Sequence, residues 1–334
     1  MIASHSKGNV LSQPSTESHA VERPADFMGH MTQVCPSCGF ANATPIVSAP
    51  DRFHGRTTSY EIVKCQNCAL AWLNHPPAAE EMSQHYGSDY DRAIATVGEA
   101  APDRWNSRCQ TLAKYKDGGR ILDLGCSSGS FLSSLPLGRW ELHGIEMSAE
   151  VARRAEARCG VNVFVGDILD AQFPSQHFDA ITCLHVFEHL YQPKEVLARV
   201  ANWLKPGGVF FALMPNIESA GFRFFRSYWY ALELPRHLFH FSPQSLTRLA
   251  DSAGLRILSL KTEREIFFEH SARYVLDDLA KRAGVKRLPA ASARPPGIPF
   301  RIVRKAFRLT ALPVINGFIG LGGDKELIEA VFQR

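Results

Sequence analysis

Arg120–Leu124 is a short apolar run that empties into Gly125-Cys126-Ser127-Ser128-Gly129, and a helical pattern follows. Glycine lets a chain turn sharply and lets a ligand come close to the backbone. The same rhythm of β-rich run, turn and helix recurs downstream. Further strand candidates are Glu141–Glu146, Val161–Val165, Phe178–Leu184 and Val209–Met214. Helix candidates are Ser130–Leu135, Ser148–Cys159, Pro193–Leu204 and Pro243–Ala253. Ser148 and Ser242 suit N-caps, Pro193 and Pro243 suit first turns, and Gly160 and Gly254 suit helix ends. Strands separated by helices predict a mostly parallel sheet with right-handed crossovers. In such a sheet a ligand binds beyond the carboxyl ends of the strands, where this glycine turn lies. The turn lacks the Gly-Lys-Ser/Thr of a phosphate-binding loop and the full G-x-G-x-x-G of a dinucleotide loop. Alone, it does not choose its ligand.

The spacing around it does more. Glu146 ends the second strand candidate, where an acidic side chain can accept two hydrogen bonds from a ribose. Gly166-Asp167-Ile168 closes the third, Phe178-Asp179-Ala180 opens the fourth, and Leu204-Lys-Pro-Gly-Gly208 turns into the fifth. As an ordered set, over residues 119–264, these motifs resemble the class I S-adenosylmethionine-dependent methyltransferases. The resemblance implies an α/β, Rossmann-like seven-stranded sheet with one antiparallel strand. It puts Asp123 and Gly125 near the methionine end of the cofactor, Glu146 on its ribose, and Asp167 and Ile168 around its adenine. The full expected cofactor set is Asp123, Gly125, Cys126, Gly129, Glu146, Met147, Asp167, Ile168 and Leu184. The last strand would be Glu326–Phe332, making residues 265–320 an insertion before it.

Upstream, Cys35-Pro-Ser-Cys38-Gly39 and Cys65-Gln-Asn-Cys68 stand 26 residues apart. A C-x-x-C turn presents two sulfurs on one knuckle, and two such pairs at this distance predict a zinc ribbon over residues 31–75. Four thiolates leave no open coordination position, so the expected Zn²⁺ is structural. Cys109, Cys126, Cys159 and Cys183 are scattered and are read as small core residues. The ribbon resembles the N-terminal zinc-binding domain fused to some sugar C-methyltransferases. In that family the ribbon and its connector help to cover the substrate cleft. Here the connector is residues 76–118, and Tyr86 and Tyr90 sit where it would approach the cleft.

Methyl transfer to an alcohol or carbon acid needs an aligned acceptor and a base, and histidine is the natural base near neutral pH. Two clusters qualify. The first is Leu184-His185-Val186-Phe187-Glu188-His189 at the end of the fourth strand, whose Glu-His pair matches a motif of small-molecule methyltransferases. The second is Glu233-Leu-Pro-Arg236-His237-Leu-Phe-His240-Phe241, in an aromatic-rich segment over 222–241. His237 resembles the catalytic histidine of the zinc-containing sugar C-methyltransferases, so His237 and His189 are the expected catalytic residues. Pro235-Arg236 precede His237 where those enzymes tend to be acidic, and Arg236 is a candidate for binding an acidic substrate group. The chain has no Asn/Asp/Ser-Pro-Pro-aromatic run and no Pro-Cys nucleophile, so a nucleic-acid base is not the favoured acceptor.

The 334 residues suffice for roughly two domains, and a net charge of +4 names no partner. Residues 1–30 read as a disordered tail without a signal peptide. No run of 18 apolar residues suggests a transmembrane helix, and a cytoplasmic location is expected. Residues 281–308 carry nine Lys/Arg and no Asp/Glu. With the apolar stretch that follows, 281–321 offers a peripheral membrane contact, an RNA contact, or a solvated cover on the fold. The leading expectation is methylation of a small molecule at oxygen or carbon, a sugar or a cell-envelope precursor among the acceptors considered. An RNA methyltransferase docking through its ribbon and a non-catalytic cofactor-binding scaffold are the alternatives. Oligomeric state cannot be read from these residues.

Overall fold

A computed structural model describes residues 34–87, 102–265, 267–282, 284 and 325–334. The expected tail over 1–30, Tyr90 and most of the basic stretch 281–321 lie outside the described residues.

Three short strands come first: β1 (Ala43–Pro50), β2 (Ser59–Cys65) and β3 (Ala71–Asn74). Five follow in the βα region: β4 (Gly119–Leu124), β5 (Trp140–Glu146), β6 (Asn162–Val165), β7 (Phe178–Leu184) and β8 (Leu204–Pro215). The last three are β9 (Phe239–His240), β10 (Arg256–Glu263) and β11 (Leu327–Gln333). They build two sheets. The larger has seven strands in the order β10-β11-β8-β7-β4-β5-β6. Its β4, β5, β6, β7 and β8 pair in parallel, and β11 runs antiparallel between β8 and β10. This is the expected seven-stranded sheet with one antiparallel strand. The central strands are covered on both faces, so β7, β8 and β11 read as nearly unbroken apolar runs. Phe178, Phe210, Phe211 and Phe332 are fully buried there. Each such side chain contributes about 1.5–3 kcal/mol relative to exposure.

Besides a single turn at Ala79–Met82, the helices are α1 (Pro102–Ala113), α2 (Ala149–Cys159), α3 (Pro193–Trp203), α4 (Ala220–Phe225), α5 (Pro243–Ser252) and α6 (Phe267–Arg282). Ser148 caps α2 by accepting the Val151 amide at 3.4 Å, and Gly160 ends it in the left-handed region. Ser242 and Ser245 form a reciprocal capping box on α5. One expected helix is absent: Ser130–Leu135 is a single 3₁₀ turn over Leu132–Ser134. The Ser133 and Ser134 hydroxyls donate to the Ser130 carbonyl at 3.0 and 2.9 Å, competing with the backbone for it. Pro136 then holds Leu135 in an extended conformation.

The small sheet has the order β1-β2-β3-β9. Its fourth strand comes from far along the chain: Ala71 pairs with His240 and Trp72 with Phe239. The Leu73 amide also donates to the Leu238 carbonyl at 2.8 Å. The cysteine-bearing segment is therefore stitched to the segment that carries His237.

Candidate functional site

The carboxyl edge of β4 and β5 gathers the predicted cofactor residues. Gly125, Ser127 and Gly129 all have positive φ, which coils the loop tightly after β4. A side chain at Gly125 would strike Val186, and one at Gly129 would press on Ala155 of α2. Asp123 is buried and accepts the Thr182 hydroxyl at 2.6 Å. Burial, with Glu146 adding repulsion, pushes its carboxyl up to about 7, against the Thr182 hydrogen bond. Glu146 accepts the Ser127 and Ser148 amides at 3.1 and 2.9 Å, so its carboxylate holds the glycine turn to the end of β5. Asp167 is exposed and accepts the Leu169 amide at 2.8 Å, with Ile168 buried beside it. Met147 is 70% exposed and Val165 45% exposed, flanking these two carboxylates with apolar surface. That edge, with its acid at the end of β5 and apolar patch beside a second acid, fits a nucleoside. Leu184 ends β7 half-buried. Cys126 points inward, against Gly144, so it offers the edge its backbone and not its thiol.

The four cysteines come together as expected. Their sulfurs all lie within 4.8 Å of one another. Cys35 and Cys68 are 3.4 Å apart, and Cys38 and Cys65 3.6 Å. A tetrahedral ion with bonds of about 2.3 Å needs sulfurs about 3.8 Å apart, so the arrangement fits Zn²⁺ closely. The Asn67 and Cys68 amides point at Cys65 Sγ from 3.3 and 3.4 Å, as a metal knuckle requires. The positive φ that each knuckle needs falls on Gly39 in the first and Ala69 in the second.

The two histidine clusters, separate in sequence, are one site. The rings of His189 and His237 meet edge to face with centroids 4.6 Å apart, and His240 lies 6.2 Å beyond His237. Tyr86 from the connector reaches His189 Nδ1 with its hydroxyl at 3.0 Å. His189 Nδ1 also faces the Arg236 carbonyl at 3.1 Å, and His237 Nδ1 faces the Ala231 carbonyl at 2.8 Å. A carbonyl only accepts, so each Nδ1 carries the proton and each Nε2 keeps a lone pair. Burial holds His189 below the usual histidine range and His237 well below it, and takes His240 down to about 3. Burial thus favours the neutral ring in all three, and such a ring holds a proton only where a counter-charge offsets the new cation. His237 Nε2 lies 3.3 Å from Glu233 Oε2, which would stabilise the resulting cation. Beside them Glu188 is buried, and burial pushes its carboxyl up to about 7. His185, half-exposed at the end of β7 with φ of +59°, stands 3.7 Å from Glu188.

Arg236 corrects an expectation. It does not present its charge to an acidic substrate: it is fully buried, 3.5 Å from Asp51, which is buried as completely. It also donates to the His85 carbonyl at 3.1 Å and lies 3.3 Å from Glu233. A buried charge must be paired, and beside Glu233 one partner here comes from the end of β1, 185 positions upstream. Asp51 carried no signal in the sequence, because nothing local marks a lone acid as the partner of a distant arginine.

A methyltransferase-domain family model matches residues 97–260. The ubiquinone biosynthesis O-methyltransferase of Coxiella burnetii is 28% identical over 160 residues, 43% of this chain and 66% of that protein. Its counterpart from Burkholderia pseudomallei is 29% identical over 157 residues, 43% of this chain and 67% of that protein. The chain thus spans about two thirds of the length of the curated relatives it matches. Among solved structures, phosphoethanolamine N-methyltransferase 2 of Haemonchus contortus in complex with S-adenosyl-L-methionine is similar. It is 17% identical with a TM-score of 0.48, over 79% of this chain and 62% of that one. An S-adenosylmethionine-dependent methyltransferase from Thermotoga maritima is 16% identical with a TM-score of 0.48, over 75% and 99%. The strand order, the glycine turn and the matched family together place residues 97–260 of this chain among the class I S-adenosylmethionine-dependent methyltransferases.

Proposed function

We propose that the protein methylates an oxygen or carbon of a small molecule held over the Tyr86–His189–His237 cluster. The observation that carries this reading is the convergence of those three residues from three distant segments, at the carboxyl end of β7. S-Adenosylmethionine, when bound, supplies an electrophilic methyl group. Asp123, Gly125, Cys126, Gly129, Glu146, Met147, Asp167, Ile168 and Leu184 would hold it along the strand edge. Glu146 keeps lone pairs for ribose hydroxyls beyond its two backbone amides. Tyr86 orients His189, and His237 takes the acceptor's proton on Nε2, where Glu233 offsets the new charge. Oxygen is favoured by the relatives, which are named as O-methyltransferases. The aromatic wall of Phe222, Trp229 and Tyr230, closed by α6, suits an acceptor with apolar surface. The four cysteines would carry a structural Zn²⁺ that holds the ribbon against this wall. Labelled-methyl transfer into fractionated cell material tests the reading. Wild type should label a small-molecule fraction and His237→Ala should not; equal labelling by both, or label confined to RNA, refutes it.

A further inference from the structure

We propose that Glu188, His189 and His237 form a divalent-cation site within this cleft. One ligand atom of each lies within 4.8 Å of the other two. The Glu188 side chain is 2% exposed, and among the described residues neither of its carboxylate oxygens finds a hydrogen-bond donor. His185 Nδ1 stands 3.7 Å from Oε1, beyond hydrogen-bond reach, so a carboxylate this buried still needs a proton or a cation to neutralise it. Both histidines are already oriented as metal ligands are. Each Nδ1–H is engaged by a backbone carbonyl, of Arg236 and of Ala231, and each Nε2 lone pair is left over. Outer-shell carbonyls fix metal-binding imidazoles in this way. His240 Nε2 is buried and also lacks a hydrogen-bond partner among the described residues.

Two imidazoles and a carboxylate suit Zn²⁺, Mn²⁺, Co²⁺ or Fe²⁺, a preference distinct from the four thiolates of the ribbon. Three protein ligands leave coordination open, so an acceptor hydroxyl can join the ion; with the ion bound His237 Nε2 is a ligand, and Glu233, 3.3 Å from it, takes the acceptor's proton in its place. The inference rests on reading the cleft as the acceptor pocket, but cation binding is measurable without acceptor or cofactor. Full-length protein with its ribbon loaded with zinc is titrated with Mn²⁺ and with Co²⁺, followed by paramagnetic resonance and calorimetry. One additional ion per chain is expected. Glu188→Gln and His189→Gln should each weaken it at least about tenfold while zinc content and S-adenosylmethionine affinity stay as in wild type. No saturable binding in wild type, or binding unchanged in both variants, overturns the site. If Glu188 merely holds a proton, Glu188→Gln raises the melting temperature and neither metal binds, which also overturns it. Methyl transfer is read separately: transfer by protein that binds no added metal sinks the cation site alone, and metal binding without transfer to any fraction sinks the proposed function alone.

Discussion

The ribbon and the cleft both collect metal-ligand side chains, yet they differ in how far the chain satisfies them. In the ribbon four sulfurs close on one another at tetrahedral spacing, and two backbone amides already point at Cys65 Sγ. Nothing there is left over for a substrate. In the cleft Glu188 and His240 keep buried polar atoms without hydrogen bonds from the described residues, and both catalytic candidates keep an Nε2 lone pair. A closed set stabilises; an open set has capacity for a ligand. Unsatisfied buried polarity is unfavourable for folding and is tolerated where binding recovers it. The two sites are also mechanically joined, through β3 and β9 and through Asp51 and Arg236.

The largest effect should come from opening the closed set. Cys35→Ser should abolish binding of about one Zn per chain and melt β1–β3, because a ribbon's metal-binding energy is its folding energy. Metal analysis and thermal unfolding check this; retained zinc with an unchanged melting temperature would break the contrast between the sites. His237→Ala should leave zinc content and fold intact and lower turnover about 10²–10⁴-fold, the usual contribution of a positioned base. A loss of zinc in that variant would mean the two sites are one structural unit. Asp51→Ala leaves Arg236 buried with Glu233 as its remaining counter-charge and should cost about 1–3 kcal/mol of stability. Denaturant unfolding measures it, and a loss under 1 kcal/mol would remove the tie between ribbon and cleft.

The smallest effect is a pH dependence at the cofactor edge. Asp123 has its carboxyl raised to about 7 by burial. The unfolded chain ionises it near the ordinary value, so its stability contribution is full in acid and is lost as pH rises through about 7. A cationic cofactor favours the ionised form. Affinity for S-adenosylmethionine should therefore rise by up to about tenfold per pH unit below 7 and level off above it. Calorimetry across that range checks the slope, which Asp123→Asn should flatten. A slope that persists in the variant moves the effect to another group.

Much of the fold lay open in short stretches of the chain. The strand–turn–helix rhythm, the caps at Ser148, Ser242 and Gly160, and the two cysteine knuckles all depend on contacts within a few residues. Periodicity and spacing report such contacts directly. The missing helix at 130–135 failed for an equally local reason, serine hydroxyls that compete for a backbone carbonyl, which an apolar pattern does not reveal. Strand β10 carries little local signal, because its alternation is weak and only β11, arriving from the far end of the chain, gives it a partner.

The sequence by itself determined the sheet, the glycine turn with its acidic neighbours, and the closed cysteine set, since each is encoded in local spacing. Tertiary structure alone decided that Tyr86 meets His189 across 103 residues, that Glu188 lies against His237, and that Asp51 holds Arg236. Those pairings follow from burial and from the need to satisfy polar groups inside it. Residues far apart in sequence share that need only once the chain has folded.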